Sequence, residues 1–270
     1  MLQALTFAAP MKPLRLTEAA VRNHEEFFPN HQSMMQATDP EFIELFDNWA
    51  FDEVLRNTKL DAKTRVLLIL ASTIASQAVA EYRVMVGAAL SLGVTPVAIK
   101  EVLYQAVPYV GISKVFDFLH ATNEVFKAKG IALPLEDQST TTAETRYEQG
   151  LALQRSIFGP MIDQMRKNAP RDQQHIQEYL AANCFGDYYT RRGVDLALRE
   201  LLTFAMLISL GGCEPQIKGH VAGNLKIGND RARLIDVVTL LLPYIGYPRS
   251  LNALRVIDEA APSSAEPATA

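Results

Sequence analysis

The sequence predicts an all-α protein built as a tandem duplication of one helical unit. A segment that begins at Gly93 recurs from Gly228, which lies 135 residues further on. Apolar residues return at the three- and four-residue steps of a helix, and no segment alternates with the two-residue period of a strand. At 270 residues and 49% hydrophobic content, the chain is long and apolar enough to bury a substantial core.

Local signals predict the helices in chain order. Residues 63–80 and 196–210 form long apolar runs that are poor in internal Gly and Pro, which is typical of core helices. Between them, Thr95 caps a helix with Pro96 at its first position, and Asp230 takes the capping place in the second copy. The apolar stripe of that helix is the same in both copies: Ile99, Val102, Leu103 and Ala106, then Leu234, Val237, Val238 and Leu241.

The duplication also defines the expected domain organisation. Upstream of Gly93 the repeat continues at a spacing of 134 residues, which matches Asp61 with Asp195 and Arg65 with Arg199. The spacing differs by one residue from that of the first match, and we place the inserted residue at Gly211–Gly212. The polar segment 135–145 separates the copies. We expect a first domain over 1–134, a second domain over 146–260, and a frayed tail over 261–270.

Composition and charge exclude several classes of function. A net charge of −4 offers no basic field for a phosphate backbone, so nucleic acid is not an expected partner. The apolar runs are shorter than a membrane span, and the N-terminal segment has no cationic region typical of a secretory signal. Two cysteines are too few for a disulfide framework. We therefore expect a cytoplasmic protein without a membrane partner.

The segment GGCEPQIKGHVAGNLKIG contains the candidate site. Cys213, Gln216 and His220 lie at steps that share one side of a helix, although the same steps are typical of core residues. Histidine suits proton transfer because both of its protonation states exist near neutral pH. Cys213 precedes a probable helix start, where the helix dipole lowers a thiol pKa. No ligand spacing indicates a metal, and no Gly-rich phosphate loop is present, so no cofactor is expected.

A family resemblance appears in the second copy. The string RELLTFAMLISLGGCEPQIKGHVAGNLKIG, followed by PYIGYPRSLNAL, resembles the carboxymuconolactone decarboxylase family, which includes the alkylhydroperoxidase D-like proteins; the first copy, from TRVLLILASTIASQ onward, is similar to it more weakly. The resemblance implies all-helical subunits that assemble as trimers or hexamers with active sites near subunit contacts. For a tandem chain, it implies a homotrimer that forms a ring of six pseudo-equivalent units.

The resemblance also assigns candidate residues. The alkylhydroperoxidase D-like branch has a Cys-x-x-Cys-x-x-x-His motif with an upstream glutamate, and Cys213, His220 and Glu200 match three of its positions. Gln216 replaces the second cysteine, and because glutamine forms no disulfide, two-cysteine peroxidase chemistry is not expected. At the matching positions the first copy has Ala78, Glu81, Met85 and Val66, with neither thiol nor imidazole, and it is expected to serve as scaffold or substrate wall.

Several further residues are candidates for holding His220 or for binding a substrate. Glu200 or Glu214 is expected to hold the His220 ring, although Glu200 beside Arg199 is equally typical of an ion pair between helices. Cys184 is interpreted as a residue without a functional counterpart in the first copy, and the alternative is that it resolves an oxidised Cys213. The neighbouring aromatic residues Phe185, Tyr188 and Tyr189 are interpreted as packing residues. Arginines near the site are candidates to meet an anionic substrate. The expected substrate-binding residues are Gln216, Glu214, Arg192 and Arg249, with Arg191 as a further candidate.

Three hypotheses for function remain open from the sequence. The first is a cofactor-independent acid–base enzyme of the decarboxylase type that acts on a small carboxylated lactone or related organic acid, with His220 moving the proton and Glu200 orienting it. The second is a single-cysteine thiol peroxidase in which Cys213 becomes a sulfenic acid. The third is a small-molecule binding or assembly module without chemistry.

Overall fold

The computed structural model describes residues 13–263, and all regular elements in that range are helices. The predicted all-α class is therefore confirmed over the described part of the chain. Residues 1–12, where no secretory signal is expected, lie outside the described residues. Residues 264–270 of the expected tail also lie outside them. None of the described helices combines the length and the apolar content that a membrane span requires.

The chain divides into two compact units, residues 1–57 and 58–270. The first unit is described from residue 13. It contains three α-helices, followed by a short π-helical segment and a 3-10 turn. These elements are α1 (Glu18–Phe27), α2 (Met35–Thr38), α3 (Pro40–Asn48), Trp49–Glu53 and Leu55–Asn57.

The second unit contains ten further α-helices over its described residues. A ten-residue π-helical segment, Leu180–Tyr189, precedes the second of its two long core helices, and a 3-10 turn, Arg171–Gln173, lies before it. The helices are α4 (Ala62–Ala75), α5 (Val79–Ser91), α6 (Pro96–Val110), α7 (Ile112–Ala128), α8 (Arg146–Phe158), α9 (Met161–Asn168), α10 (Gln174–Tyr179), α11 (Leu196–Leu210), α12 (Glu214–Lys226) and α13 (Arg231–Ala260).

The predicted helix starts are confirmed by their capping bonds. The Thr95 hydroxyl accepts from the Ala98 amide at 3.1 Å, and an Asp230 carboxylate oxygen accepts from the Arg233 amide at 2.7 Å. The helix expected over 63–80 is wrong at its end, because α4 stops at Ala75 and Gln77 adopts a positive φ of 60°. The next helix, α5, begins at Val79, so apolar helical residues lie on both sides of the break and the apolar pattern does not reveal it.

The duplicated turn has the same backbone form in both copies. Gly111 ends α6 with a φ of 89°, and α13 is kinked at Gly246, where φ is 74° and ψ is 168°. A side chain with a Cβ rarely adopts these angles, which explains glycine in the repeated Pro-Tyr-x-Gly sequence. The two halves of α13 therefore correspond to α6 and α7.

The core of the second unit lies where the two copies meet. Helix α4 of the first copy packs along α11 of the second, and α6 packs against both. Both long helices are buried on nearly every side, as their continuous apolar character predicts. Segment 135–145, expected as a boundary between two domains, lies within this unit. The packing of α11 thus carries Arg199 and Glu200 into the interior.

Candidate active site

The centre of the site is a buried pair of His220 and Glu200. The Nδ1 atom of His220 on α12 lies 2.9 Å from Oε2 of Glu200 on α11. His220 is 8% exposed and Glu200 is fully buried. Gly211, with a φ of 72°, ends α11 and lets α12 return beside it, which brings the two side chains together. A carboxylate on Nδ1 fixes the ring and leaves Nε2 to face a reacting group.

Further hydrogen bonds hold this pair in place. The Tyr189 hydroxyl donates to Oε1 of Glu200 at 2.6 Å, so both carboxylate oxygens are engaged. The Asn224 amide nitrogen, one turn after His220, donates to the backbone carbonyls of Glu200 at 3.2 Å and His220 at 2.8 Å. The spacing between α11 and α12 is therefore set by side-chain bonds as well as by apolar packing.

The first copy contributes a tyrosine to the site. The Tyr109 hydroxyl, at the end of α6, lies 3.5 Å from Nε2 of His220 and donates to the Tyr189 hydroxyl at 3.2 Å. The Cys184 thiol lies 3.9 Å from the same hydroxyl. The first copy, expected to serve as scaffold or substrate wall, therefore contributes one polar group to the site, the Tyr109 hydroxyl.

Burial raises the pKa of both site phenols. The pKa values of Tyr109 and Tyr189 lie well above the ordinary tyrosine value, first because of desolvation and then because of nearby negative groups, Glu200 among them. Both hydroxyls therefore remain protonated at neutral pH and act as hydrogen-bond donors.

Aromatic rings enclose the imidazole. Phe158 meets the His220 ring edge to face at a centroid distance of 5.3 Å, and Tyr109 does so at 5.6 Å. Gly223 makes this possible, since a Cβ there would lie 2.9 Å from Phe158 Cε1 and 3.1 Å from Oε2 of Glu200. The imidazole consequently combines one carboxylate partner with largely apolar surroundings, which strengthens its electrostatic interactions.

A chain of polar contacts extends from this pair through the core. The Tyr189 hydroxyl lies 2.8 Å from the Thr203 hydroxyl, to which Gln105 donates at 3.1 Å. Arg199 donates to Gln105 at 3.1 Å and to Glu101 at 2.8 Å. Arg199 thus pairs with the first copy, while Glu200 beside it pairs with His220. The ion pair between helices that the sequence allowed here is formed by Arg199 with Glu101 on α6, and Glu200 instead bonds to His220.

Several predicted site residues lie apart from the pair. Within the described chain, none of the following residues forms a hydrogen bond or ion pair with His220 or Glu200. Gln216 lies one helical turn before His220 but is exposed, so its side chain lies in solvent and not at the buried pair. Arg192 is exposed and donates to the Asp137 carbonyl at 3.3 Å, and Arg249 is exposed on α13. Glu214 is partly buried at the start of α12.

The two thiols differ from the sequence expectation. The Cys213 thiol donates to the Leu207 carbonyl at 3.2 Å, and its pKa is raised by burial and by the charge of Glu214. This corrects the expected lowering, because desolvation and the neighbouring Glu214 carboxylate both disfavour the thiolate. Cys184, for which no functional role is expected, lies nearer to the site than Cys213 does, and burial raises the pKa of its thiol to about 12. Neither thiol has the low pKa of a reactive cysteine.

Sequence reasoning missed most of the polar partners. Tyr109 belongs to the repeated Pro-Tyr-x-Gly sequence, which gives no indication of a contact with His220, and Tyr189 is interpreted from the sequence as packing. Asn224 follows His220 by one helical turn, a spacing that places both on one face and that offered a usable signal. Gln105 and Thr203 gave no signal in the sequence. Over residues 13–263, no group of three His, Cys, Asp or Glu side chains is placed to hold a metal ion.

Comparison with known proteins identifies relatives of both copies. A profile of the carboxymuconolactone decarboxylase family matches residues 40–124 and again residues 174–259. The 4-carboxymuconolactone decarboxylase of Acinetobacter baylyi is 26% identical over 117 residues, which are 43% of this chain and 87% of that protein. A crystal structure described as a gamma-carboxymuconolactone decarboxylase subunit from Burkholderia xenovorans LB400 superposes with a TM-score of 0.54 at 20% identity, over 93% of this chain and 98% of that one, a likeness of fold alone.

Proposed function

The chain belongs to the carboxymuconolactone decarboxylase family, and from that premise we propose that it is a cofactor-independent acid–base lyase that decarboxylates a small carboxylated lactone or a related organic acid. The observation that supports this proposal best is the His220–Glu200 pair, with Nε2 of His220 directed to the Tyr109 hydroxyl. This arrangement supplies a proton donor and a second hydrogen-bond donor at one place.

The proposed reaction assigns a task to each group. The bond between the carboxylate carbon and its neighbour breaks, CO2 leaves, and the electron pair is delocalised into the adjacent carbonyl. Protonated His220 then gives its Nε2 proton to the neighbouring carbon, while Glu200 stabilises the imidazolium through Nδ1. With substrate bound, the Tyr109 hydroxyl turns from Tyr189 and donates its proton to the oxygen on which negative charge develops. Water returns the proton to His220 after the product leaves.

The thiol peroxidase hypothesis receives less support. A peroxidatic cysteine attacks as a thiolate, and burial raises the pKa of both Cys184 and Cys213. Gln216 also leaves Cys213 without a neighbouring resolving thiol. Peroxide chemistry would therefore require a thiolate that these surroundings disfavour.

A non-catalytic binding role is the second candidate, and one observation favours it. The His220 side chain is 11% exposed in the single chain, so a ligand has little direct access to Nε2. A protein that binds a small molecule elsewhere on the chain, or that serves only in assembly, needs no such access, and a turnover measurement separates the two candidates.

Turnover of 4-carboxymuconolactone tests the proposal. We expect CO2 release and loss of the substrate spectrum with the natural sequence, and a decrease in kcat of about 10²-fold or more for His220→Gln, because proton transfer by a positioned side chain contributes that factor. His120→Gln is the matched control, since His120 is exposed on α7. Equal kcat for His220→Gln and the natural sequence would overturn the assigned role.

Two further measurements separate the competing functions. Cys213→Ser retains decarboxylation if acid–base chemistry operates, whereas a thiol peroxidase loses all peroxide consumption with that change. Saturable binding of the lactone without CO2 release or any spectral change of the ligand would favour the binding module instead.

A further inference from the structure

A cavity of about 480 Å³ lies away from His220, between α6, α7 and the segment 133–138. Its volume is within the range typical of small-molecule sites, roughly 300–1,000 Å³. The wall combines cationic and amide groups with apolar side chains. The residues that matter below are Lys100, Tyr104, Asn123, Leu133, Pro134 and Arg191.

Lys100 is a buried cation on this wall. It is only 9% exposed, and its ammonium donates to the Asn123 side-chain oxygen at 2.5 Å. Among residues 13–263 no carboxylate forms an ion pair with it, and its further contact is the neutral Phe126 ring, whose centroid lies 5.8 Å from the ammonium. Desolvation lowers the pKa of Lys100. Burying an ammonium without a counter-charge costs folding free energy, so such groups are rare unless an anion binds beside them.

Arg191 adds a second cation at the inner end of the cavity. Its guanidinium stacks on the Tyr104 ring at 4.7 Å and pairs with Glu101 at 3.1 Å. The same Glu101 carboxylate also accepts from Arg199, so one negative charge serves two guanidinium groups. On the cavity wall itself Arg191 and Glu101 balance each other, which leaves Lys100 as the inner group without a counter-charge. Glu136 and Asp137, at the opposite rim, are exposed and screened by solvent.

This cavity is separate from the site around His220. Two of its lining residues reach the polar chain of the core, because the Glu101 carboxylate and the Arg191 carbonyl both accept from Arg199. None of the described lining residues contacts His220, Glu200 or Tyr109. The inference below therefore does not depend on the proposed decarboxylase function.

We infer that this cavity binds the carboxylate of a small planar organic acid, with Lys100 and Asn123 holding the carboxylate and Tyr104, Leu133 and Pro134 packing against the hydrocarbon part. One unpaired ammonium matches a single negative charge. A phosphate dianion fits less well, because Glu101 lies on the inner wall and two further carboxylates lie at the rim. The apolar wall favours a hydrocarbon body over a fully hydrated anion.

Benzoate is a suitable probe, with benzamide as its neutral counterpart of equal shape. We expect saturable benzoate binding by calorimetry to the full chain, and affinity for benzamide lower by about tenfold or more, since hydrogen bonds between charged groups are the stronger ones. Lys100→Met should weaken benzoate by a similar factor. The same change should raise the thermal midpoint of the unliganded protein, because it removes a buried unpaired charge.

Two controls make the result decisive. Lys129→Met alters an exposed lysine just after α7 and should leave benzoate affinity unchanged. His220→Gln should also leave it unchanged, even where turnover is lost. Unchanged benzoate affinity in Lys100→Met, equal affinity for benzamide, or no saturable binding at all would overturn the inference. Loss of binding in His220→Gln alone would place benzoate at the His220 site instead.

Discussion

At the residue scale, the candidate chemistry depends on which side chains share one buried environment. His220 and Glu200 were both predicted from the sequence, and the structure places them 2.9 Å apart. Their surroundings were not predicted, because Tyr109 and Tyr189 reach the pair from distant parts of the chain. A residue type at a helical spacing indicates which face it occupies, whereas its partners depend on what packs against that face.

Tyr109→Phe tests the contribution of the first copy to the site. The change removes only the hydroxyl near Nε2 of His220, so we expect kcat to fall about tenfold with a stability loss of about 1 kcal/mol. Tyr244→Phe is the matched control, because Tyr244 occupies the duplicate position in the second copy, and the residue that matches His220 in the first copy is Met85. Kinetics and thermal unfolding of both variants provide the check, and equal kcat values for the two would remove Tyr109 from the mechanism.

Asp47 provides a pH-dependent prediction. It is 7% exposed, and burial raises its pKa to about 6, above the ordinary aspartate value near 4. The folded state therefore favours the neutral acid, and the cost of burying the charge appears as pH rises from about 4 to about 6. A shift of this size corresponds to about 3 kcal/mol of lost unfolding free energy across that window.

Denaturant titrations at several pH values test this prediction. Asp47→Asn should flatten the decrease in stability between pH 4 and pH 6 and should stabilise the protein at pH 7. Asp117→Asn, at an exposed position of α7, should leave the slope unchanged. The same slope in Asp47→Asn as in the natural sequence would contradict the assignment.

At the element scale, close backbone contact between α8 and the π-helical segment 180–189 orients the site. A Cβ on Gly150 would lie 2.0 Å from the Ala181 carbonyl oxygen, and one on Gly186 would lie 2.1 Å from the Arg146 carbonyl oxygen. The segment 180–189 carries Tyr189, so the glycine contact determines where that hydroxyl meets Glu200. The sequence predicted the two capped helices well, because capping is local, but it did not predict this contact.

Gly150→Ala should separate the two elements. We expect a destabilisation of about 1–3 kcal/mol, because neither backbone can yield without moving its helix. Turnover should fall as well, since Tyr189 would shift from Glu200. Gly87→Ala on α5 is the control, because no atom lies within 4 Å of a Cβ there, and it should be neutral or stabilising by up to about 1 kcal/mol. A thermal midpoint of Gly150→Ala equal to that of Gly87→Ala would refute the role of this contact.

At the scale of the whole molecule, the two copies expose apolar residues at matching positions. Phe116 is 50% exposed and Leu251 is 61% exposed, and they correspond in the duplication, as do the exposed Ile112 and Tyr247. Single exposed apolar residues are ordinary, but the same positions exposed in both copies indicate a surface that both use. We propose that this surface closes a homotrimer with six pseudo-equivalent units.

Light scattering after size exclusion tests the assembly. We expect a particle of about 90 kDa, from three chains of 29.9 kDa, and a smaller species for Phe116→Asp combined with Leu251→Asp. Val21→Asp changes an exposed apolar residue of the first unit and should leave the mass unchanged. A monodisperse monomer of the natural sequence at micromolar concentration would disprove the trimer.

The sequence by itself determined the helical class, the repeat and the capped starts at Thr95 and Asp230, and its family resemblance indicated His220 with Glu200 or Glu214 as the candidate pair. These features are encoded in periodicity, in capping residues and in matched positions, all of which act over a few residues or repeat along the chain. Only the tertiary structure decided that Tyr109 meets His220, that Gln216 faces solvent, and that burial raises the Cys213 pKa. Contacts across 111 residues and the loss of water around a thiol arise from packing, and no local spacing specifies them.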